Sequence, residues 1–234
     1  MKSYGESKIG FVRKVNEDSF DIFEEEKIFI VADGMGGYVA GEVASKIAVA
    51  VGQQYIRSHD LSLPILEEAV VAANKAILDE VEQKPDLNGM GTTFTILAIV
   101  KDKALWAHVG DSRIYLFRNG QLIRVTKDHS IVENLLQDGQ LSSDEADRHP
   151  ERNILTRAVG VDKNIEVDTD SFTIYKNDRI LLCTDGLNTM VSAAIIQSIL
   201  GNYALSEREV VEQLLNVTYE NGARDNVTVI VLTI

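Results

Sequence analysis

The sequence contains one cysteine and three prolines, and both scarcities limit what the protein can be. Cys183 cannot form an internal disulfide on its own, so nothing indicates an oxidising compartment. The prolines, Pro64, Pro85 and Pro150, are scattered, and no Pro-rich or Gly/Ser-rich linker divides the chain. We therefore expect residues 1–234 to form a single domain.

Basic residues and long apolar runs are also scarce. The chain has 23 lysines and arginines against 36 aspartates and glutamates, which leaves a net charge of −13 at pH 7. Such a surface repels nucleic acids and anionic membranes, because both bind proteins through basic patches. No apolar run approaches the roughly 20 residues of a membrane span, and the N-terminal "MKSYGESKIGFVRK" lacks the apolar core of a signal peptide. The sequence predicts a soluble cytoplasmic protein that binds neither nucleic acid nor membrane.

The apolar pattern predicts strands in hairpins and helices in pairs. "SFDIF" and "IFIVA", joined by "EEEK", indicate a hairpin, and one helix is expected from Ala40 to about Ser58 and another after Pro64. Residues 92–125 predict four strands, and a Ser206–Glu209 capping box precedes the last helix, ahead of a final strand "DNVTVIVLTI". This order favours antiparallel sheets over a parallel doubly wound sheet, and two face-to-face sheets covered by helices would bury every apolar stripe.

Aspartates stand at four ends of these strands. Asp33 ends a strand in "VADG", Asp111 follows one in "HVGDSR", Asp185 ends one in "LLCTDG", and Asp225 begins the last in "RDNVTV". An Asp-Gly pair alone is most often a turn. Since the end of one antiparallel strand lies beside the start of its neighbour, the four carboxylates can share one rim of the fold.

Crowded carboxylates repel one another unless a cation offsets their charge. Hard oxygen ligands favour Mg²⁺ or Mn²⁺, and the glycines of "DGMGG" let the Gly34 carbonyl approach an ion. The four histidines show no zinc-ligand spacing and Cys183 has no partner. A dinucleotide-binding loop is rejected, because the third glycine of that fingerprint would fall on Val39 and no Gly-Lys-Ser/Thr is present.

A basic side chain precedes the first predicted hairpin in "GFVRKVNEDSF". Arg13 lies just before Glu17 and Asp18, and a guanidinium beside an acidic metal cluster suits phosphate recognition. The alternative on this segment alone is a solvated Arg–Glu surface pair.

With these motifs in place, the chain resembles the metal-dependent protein serine/threonine phosphatases of type 2C, in their compact bacterial form. Eight blocks carry the resemblance in order from end to end: "RKVNED", "VADGMGG", "GTTFT", "HVGDSRIY", "KDHS", "NILTRAVG", "LLCTDGL" and "RDNVTVI". The resemblance implies an α+β fold, a four-layer α-β-β-α sandwich of two antiparallel sheets flanked by helix pairs.

The resemblance also implies a role for each motif residue. Asp33 would bridge two ions, Asp185 and Asp225 would complete one, and the Gly34 carbonyl would bind the other. Those roles make Asp33, Asp185 and Asp225 the catalytic acids. The remaining implied roles are a third-metal site at Asp111 with Asp185, water-mediated contacts from Glu17 and Asp18, and a grip on the substrate phosphate by Arg13.

The implied reaction is direct hydrolysis of phosphoserine and phosphothreonine in proteins by a water that bridges two Mn²⁺ or Mg²⁺ ions, with no phosphoenzyme. Cys183 fits this scheme, because "CTDGLNTM" lacks the arginine that a cysteine phosphatase needs. Many relatives carry a histidine beside the Asp-Gly motif to protonate the leaving group. Met35 and Tyr38 stand there in this chain, so the general acid stays unassigned.

We expect a monomer, because nothing in the sequence indicates an obligate oligomer, and the resemblance implies an enzyme that opposes a cognate bacterial Ser/Thr kinase. Its flap would be the polar stretch at about 130–153, although a merely solvated loop is the open alternative. Two rival functions stay open at this stage: a catalytically inactive scaffold, and a phosphatase confined to small regulators of sigma factors. The full set of acids disfavours the scaffold, and the absence of an attached sensory domain disfavours the specialised phosphatase.

Overall fold

The structure is a computed structural model that describes residues 1–36, 40–146 and 149–234. In these ranges the first sheet has the spatial order β1 (Lys2–Lys8), β11 (Val227–Thr233), β10 (Arg179–Cys183), β7 (Arg113–Arg118) and β8 (Gln121–Arg124). The second has the order β2 (Asp18–Phe23), β3 (Ile28–Met35), β5 (Phe94–Val100), β6 (Lys103–Val109) and β9 (Asp168–Thr173), with β4 (Gly91–Thr92) paired to β3. Every paired set of strands runs antiparallel.

Helices cover the outer face of each sheet. The α-helices of the described ranges are α1 (Ala40–Arg57), α2 (Leu63–Gln83), α3 (Ile131–Gln137), α4 (Ser143–Ala146), α5 (Asp185–Asn188), α6 (Ala193–Leu200) and α7 (Glu207–Glu220), and a short 3-10 helix spans Pro85–Leu87. The α1–α2 pair packs on the second sheet, and α6 and α7 pack on the first. The four-layer sandwich implied by the resemblance is confirmed.

The middle layer is an apolar core shared by the two sheets. Phe29 and Leu97 of the second sheet meet Ile180, Leu182 and Ile230 of the first, and all five are fully buried. Burial of each such side chain stabilises the fold by roughly 1.5–3 kcal/mol. This core fixes the two sheets against each other, so residues at their shared edge are held in a constant relation.

The elements predicted from the sequence are largely present. The hairpin of β2 and β3, the α1–α2 pair and the four strands within 92–125 are confirmed, and α7 begins with the Ser206–Glu209 capping box. Four strands and α-helices were not predicted: β1, β4, α5 and α6. Asp185 does not end a strand, since β10 stops at Cys183 and Asp185 opens the short helix α5.

Of the helices in the described part of the chain, none combines the length and the apolar character that crossing a membrane requires.

A buried histidine pair lies between β5, β6 and the segment that precedes α3. His108 is fully buried, its Nδ1 lies 2.8 Å from Thr95 Oγ1 and its Nε2 lies 3.1 Å from the Lys127 carbonyl. Its ring centroid lies 4.9 Å from that of His129. Burial, together with repulsion from His129, lowers the pKa of His108 to about 3.

This lowered pKa predicts a loss of stability in acid. The unfolded chain protonates His108 below its ordinary pKa of 6.5, whereas the folded protein resists protonation down to about 3, so the stabilisation is complete above 6.5 and is lost as pH falls. We expect the free energy of unfolding of wild type, relative to His108→Asn, to fall by about 2 kcal/mol between pH 6.5 and 5. Urea unfolding at both pH values measures this difference. Parallel pH curves for the two proteins would contradict it.

Candidate active site

The four aspartates singled out from the sequence lie at one end of the sandwich, on a rim that both sheets share. Asp33 belongs to β3 and Asp111 follows β6, and both of these strands are in the second sheet. Asp185 follows β10 and Asp225 precedes β11, and both of these strands are in the first sheet. All four line one cleft of about 680 Å³. The rim is therefore formed between two sheets and not along one of them.

Asp18 joins the two sheets beneath this cleft. It pairs with Asp33 in the β2–β3 register, and its Oδ2 accepts hydrogen bonds from Thr228 Oγ1 at 2.6 Å and Thr184 Oγ1 at 2.8 Å. Burial raises the pKa of Asp18 to about 7, even though the two hydroxyl hydrogen bonds favour the ionised form. A carboxylate is thus held in the interior by hydroxyls from the opposite sheet.

The pKa values of the other acids are raised by burial and by each other. Burial, then repulsion from Asp18 and Asp185, raises the pKa of Asp33 well above its ordinary value. Burial and the charge of Asp225 raise the pKa of Asp185 to about 6, against the effect of a hydrogen bond from Asp33. Burial, followed by Asp185, raises the pKa of Asp111. Such mutual repulsion marks a site that lacks enough positive charge for its carboxylates.

Gly34 and Glu17 bring two backbone segments into close contact. The Gly34 amide donates to the Glu17 carbonyl at 3.1 Å, and a Cβ on Gly34 would lie 2.1 Å from the Gly41 carbonyl oxygen. Only glycine fits there. Burial raises the pKa of Glu17, whose Oε1 would lie 2.6 Å from a Cβ on Gly41. The glycines of this motif therefore allow the start of α1 to lie directly against the acids.

Arg13 lies at the edge of the cleft and contacts one of the aspartates. Its Nη2 lies 2.5 Å from Asp225 Oδ2, and its Nη1 lies 4.0 Å from Glu17 Oε2. Asn226 holds the loop that carries it, accepting from the Gly10 amide at 3.2 Å and donating to the Val15 carbonyl at 3.1 Å. The arginine is thus placed at the acidic cluster, although its main partner is Asp225 and not the neighbouring glutamate.

The sequence motifs contained residues to which no role was given, and the structure shows what they do. Thr184 and Thr228 hold Asp18, Thr93 Oγ1 accepts from the Asp33 amide at 2.8 Å, and Asn226 holds the Arg13 loop. Their signal was their place inside the quoted blocks, where Thr184 and Asn226 stand directly beside an acid. Their partners lie far away in the sequence, so spacing alone could not assign them.

Of the residues at the motif positions where relatives carry histidine, Met35 lines the cleft. Tyr38, the other candidate for a proton donor, lies outside the described residues.

The donor set can be tested against the divalent cations expected from the sequence. Within residues 1–36, 40–146 and 149–234, no three His, Cys, Asp or Glu side chains are already arranged around one ion. Arg13 occupies one oxygen of Asp225.

Three buried carboxylate oxygens of the described residues nevertheless have no hydrogen-bond partner: Asp18 Oδ1, Asp185 Oδ1 and Glu17 Oε1. An unpartnered buried anionic oxygen is costly, and a cation removes that cost. All the donors are hard oxygens, which suit Mn²⁺ and Mg²⁺. The residues fit such ions once Arg13 is released from Asp225.

Gly186 lies where α5 packs against the segment before β11, so its substitution tests how tightly these two segments pack. A Cβ at this position would lie 1.9 Å from the Asn226 carbonyl oxygen, so α5 and the segment before β11 touch through their backbones. We expect Gly186→Ala to lower the free energy of unfolding by about 1–3 kcal/mol, because the two segments must separate. Urea unfolding measures the effect. Gly201→Ala, whose nearest contact is 3.2 Å, is the control, and equal small losses in both variants would contradict the prediction.

Comparison with known proteins gives a consistent result. The family model described as protein phosphatase 2C matches residues 12–225. The serine/threonine phosphatase stp of Listeria welshimeri serovar 6b is 39% identical over 233 residues, which cover 95% of this chain and 92% of that protein.

Two solved structures are closely similar in fold. The crystal structure of the Mycobacterium tuberculosis serine/threonine phosphatase PstP/Ppp matches with a TM-score of 0.91 at 37% identity, covering 98% of this chain and 97% of that one. The catalytic domain of PstP in complex with two manganese ions matches with a TM-score of 0.89 at 35% identity, covering 98% and 96%.

Proposed function

Because the chain belongs to the protein phosphatase 2C family and is a protein serine/threonine phosphatase, we propose that its acidic cleft hydrolyses phosphoserine and phosphothreonine with two divalent cations, Mn²⁺ or Mg²⁺. The observation that carries the proposal is the set of buried carboxylates with unpartnered oxygens and raised pKa values at the shared rim. The two manganese ions in the similar PstP structure support the same number here.

In this proposal the acids would hold the ions. Asp33 would contribute to both, Asp185 and Asp225 would complete one, and the Gly34 carbonyl would complete the other. Glu17 and Asp18 would hold water beside them, and Asp111 with Asp185 would hold a third ion. When bound, the ions lower the pKa of water and offset the negative charge of the phosphoryl group.

The chain's own side chains orient the substrate and supply no nucleophile. Arg13 binds the substrate phosphate through its forked donors, exchanging Asp225 for the phosphate oxygens. Cys183 is fully buried, and burial raises its thiol pKa to about 12. A thiol in that state does not attack phosphorus, which supports direct attack by water without a phosphoenzyme.

We also propose that residues 1–234 act as one monomeric catalytic domain, and that the segment 130–153 is a flap over its edge. A second cleft of about 500 Å³ supports the flap, because residues of α3 and α4 line it together with Asp111 and Asp185. Substrates entering there would be phosphorylated proteins of the cytoplasm, and the enzyme would reverse the action of a cognate bacterial Ser/Thr kinase. The phosphatase activity of the relatives supports that role.

Metal removal tests the proposal. We expect phosphopeptide hydrolysis to fall by at least about a hundredfold after chelation, equivalent to about 2.7 kcal/mol of transition-state stabilisation, and to return with Mn²⁺. Release of inorganic phosphate from a phosphothreonine peptide measures it, with Ca²⁺ addition as the control for general ion effects. Turnover that is unchanged by chelation, or that is absent with Mn²⁺, would refute the proposal.

A further inference from the structure

Aliphatic side chains are among those that line the catalytic cleft. Three of them, Met35, Ile154 and Val161, are at least partly exposed, and we name these three the apolar shelf. Ile154 is 46% exposed and Val161 is 51% exposed. Met35 Cε and Val161 Cγ2 are neighbours, since they would lie 2.8 Å and 3.0 Å from a Cβ added to Gly91. The shelf therefore joins β3 to the segment that follows the flap.

The backbone on either side of Val161 is held by a buried asparagine of α2. Asn74 is 2% exposed; its Oδ1 accepts from the Gly160 amide at 2.7 Å, and its Nδ2 donates to the Asp162 carbonyl at 2.8 Å. Gly160 has a φ of +92°, and a Cβ there would lie 2.3 Å from Ile77 Cγ2. A buried polar side chain and an obligatory glycine thus present one valine to solvent.

Ile154 is fixed in a similar way. Its carbonyl accepts from the Ile131 amide at 3.0 Å, and its amide donates to the Glu151 carbonyl at 3.0 Å. The adjacent Leu155 forms a bridge with Ser130 at the start of α3. The backbone of Ile154 is therefore held at both its amide and its carbonyl.

An exposed aliphatic side chain on a fixed backbone contributes favourable burial energy only when another molecule covers it and removes it from water. The shelf is continuous with the cleft that holds Asp33, Asp185 and Arg13, so whatever places a phosphate among those residues also reaches the shelf. A polypeptide that carries the phosphate meets this condition. The chain's net charge of −13 and the acidic floor disfavour acidic neighbours of the phosphoresidue, whereas an aliphatic neighbour meets no such repulsion.

We propose that the apolar shelf is a specificity site that binds an aliphatic side chain within two residues of the substrate's phosphoserine or phosphothreonine. This inference rests on the proposed phosphatase function and adds to it a sequence preference. The shelf contacts the peptide and not the phosphate, so it determines which phosphopeptides are processed and leaves the chemistry unchanged.

Two phosphopeptides test the preference, identical except that valine or serine occupies the two positions on each side of the phosphothreonine. Wild type is expected to process the valine peptide with a kcat/KM about tenfold higher than the serine peptide, the size of effect that a small apolar contact gives. In Ile154→Ser/Val161→Ser this ratio falls to about one, through loss on the valine peptide alone. Hydrolysis of p-nitrophenyl phosphate stays within twofold of wild type, because that substrate has no flanking residues.

The matched control is Ile123→Ser/Val71→Ser, which changes the same residue types at 45% and 47% exposure away from the cleft. It should keep the wild-type ratio, as should the conservative variant Ile154→Val. A wild-type ratio near one, or equal losses on both peptides in the shelf variant, would overturn the inference while p-nitrophenyl phosphate turnover still supports the phosphatase. Absence of turnover on every substrate in wild type would overturn the phosphatase function itself.

Discussion

The Asp185→Asn variant is expected to lose phosphatase activity by at least about a thousandfold while its metal-free form becomes more stable. Asp185 is proposed to hold one core ion and to share the third. The ions stabilise the transition state by several kcal/mol, and a loss of about 4 kcal/mol of that stabilisation corresponds to a thousandfold lower rate. Asparagine has nearly the same shape but no negative charge. Phosphate release from a phosphothreonine peptide with saturating Mn²⁺ measures the loss.

The gain in metal-free stability follows from the sign of the pKa shift. Burial and Asp225 raise the pKa of Asp185 to about 6, above its ordinary 3.8, so its ionisation in the folded state is opposed. Such a group stabilises the fold below its ordinary pKa, and that stability is lost as pH rises through 6. At pH 7.5 the loss is complete. Removing the charge should then raise the free energy of unfolding by an amount on the order of 1 kcal/mol.

Thermal unfolding with chelator and with Mn²⁺ separates the two effects. Wild type should be stabilised strongly by Mn²⁺ and Asp185→Asn only weakly, because a ligand that binds only the folded state raises its stability by an amount that increases with the logarithm of the affinity. Asp170→Asn, which removes an exposed charge on β9, is the control and should resemble wild type in every assay. Full activity in Asp185→Asn, or a metal-free form much less stable than wild type, would contradict the proposal that Asp185 is a metal ligand.

The candidate acids could be predicted because each one is locally marked. Asp33 and Asp185 each come after an apolar run of the sequence and directly precede glycine, a pattern that is visible without knowing the fold. Thr184 and Thr228 carry no such mark. Their role depends on the two sheets packing so that a strand of one faces Asp18 of the other, and those hydrogen bonds span 166 and 210 residues.

The fold was predictable where burial imposes a pattern. The hairpin of β2 and β3 and helix α1 have buried faces, and their apolar periods predict them. Strand β1 is different: "KSYGESK" is polar, and it becomes a strand because it pairs along the edge of β11, from Lys2 with Thr233 to Lys8 with Val227. A strand that forms because its neighbour supplies the hydrogen bonds leaves no apolar pattern in its own sequence from which it could be predicted.

The contact between Arg13 and Asp225 also lay beyond the sequence, because it joins residues 212 positions apart. It leads to the second large expected effect. Arg13→Ala should lower kcat/KM on a phosphothreonine peptide by about a hundredfold, roughly 2.7 kcal/mol, since a forked, charge-assisted contact to phosphate is lost. Arg13→Lys keeps the charge but not the fork, so we expect only a part of the activity to return.

Steady-state kinetics on that peptide measures both variants, and Arg57→Ala provides a matched control. Arg57 is similarly exposed, at 48% against 43%, and its Nη2 also lies 2.5 Å from a carboxylate oxygen, that of Glu26. It ends α1, an 18-residue helix whose first residues lie at the cleft, so it is roughly 25 Å from that end. Because exposed ion pairs contribute little to stability, both alanine variants should unfold near the wild-type temperature. Equal kinetic losses in the two would show that Arg13 acts only as a surface charge, whereas a loss confined to Arg13→Ala would place the phosphate between this arginine and the ions.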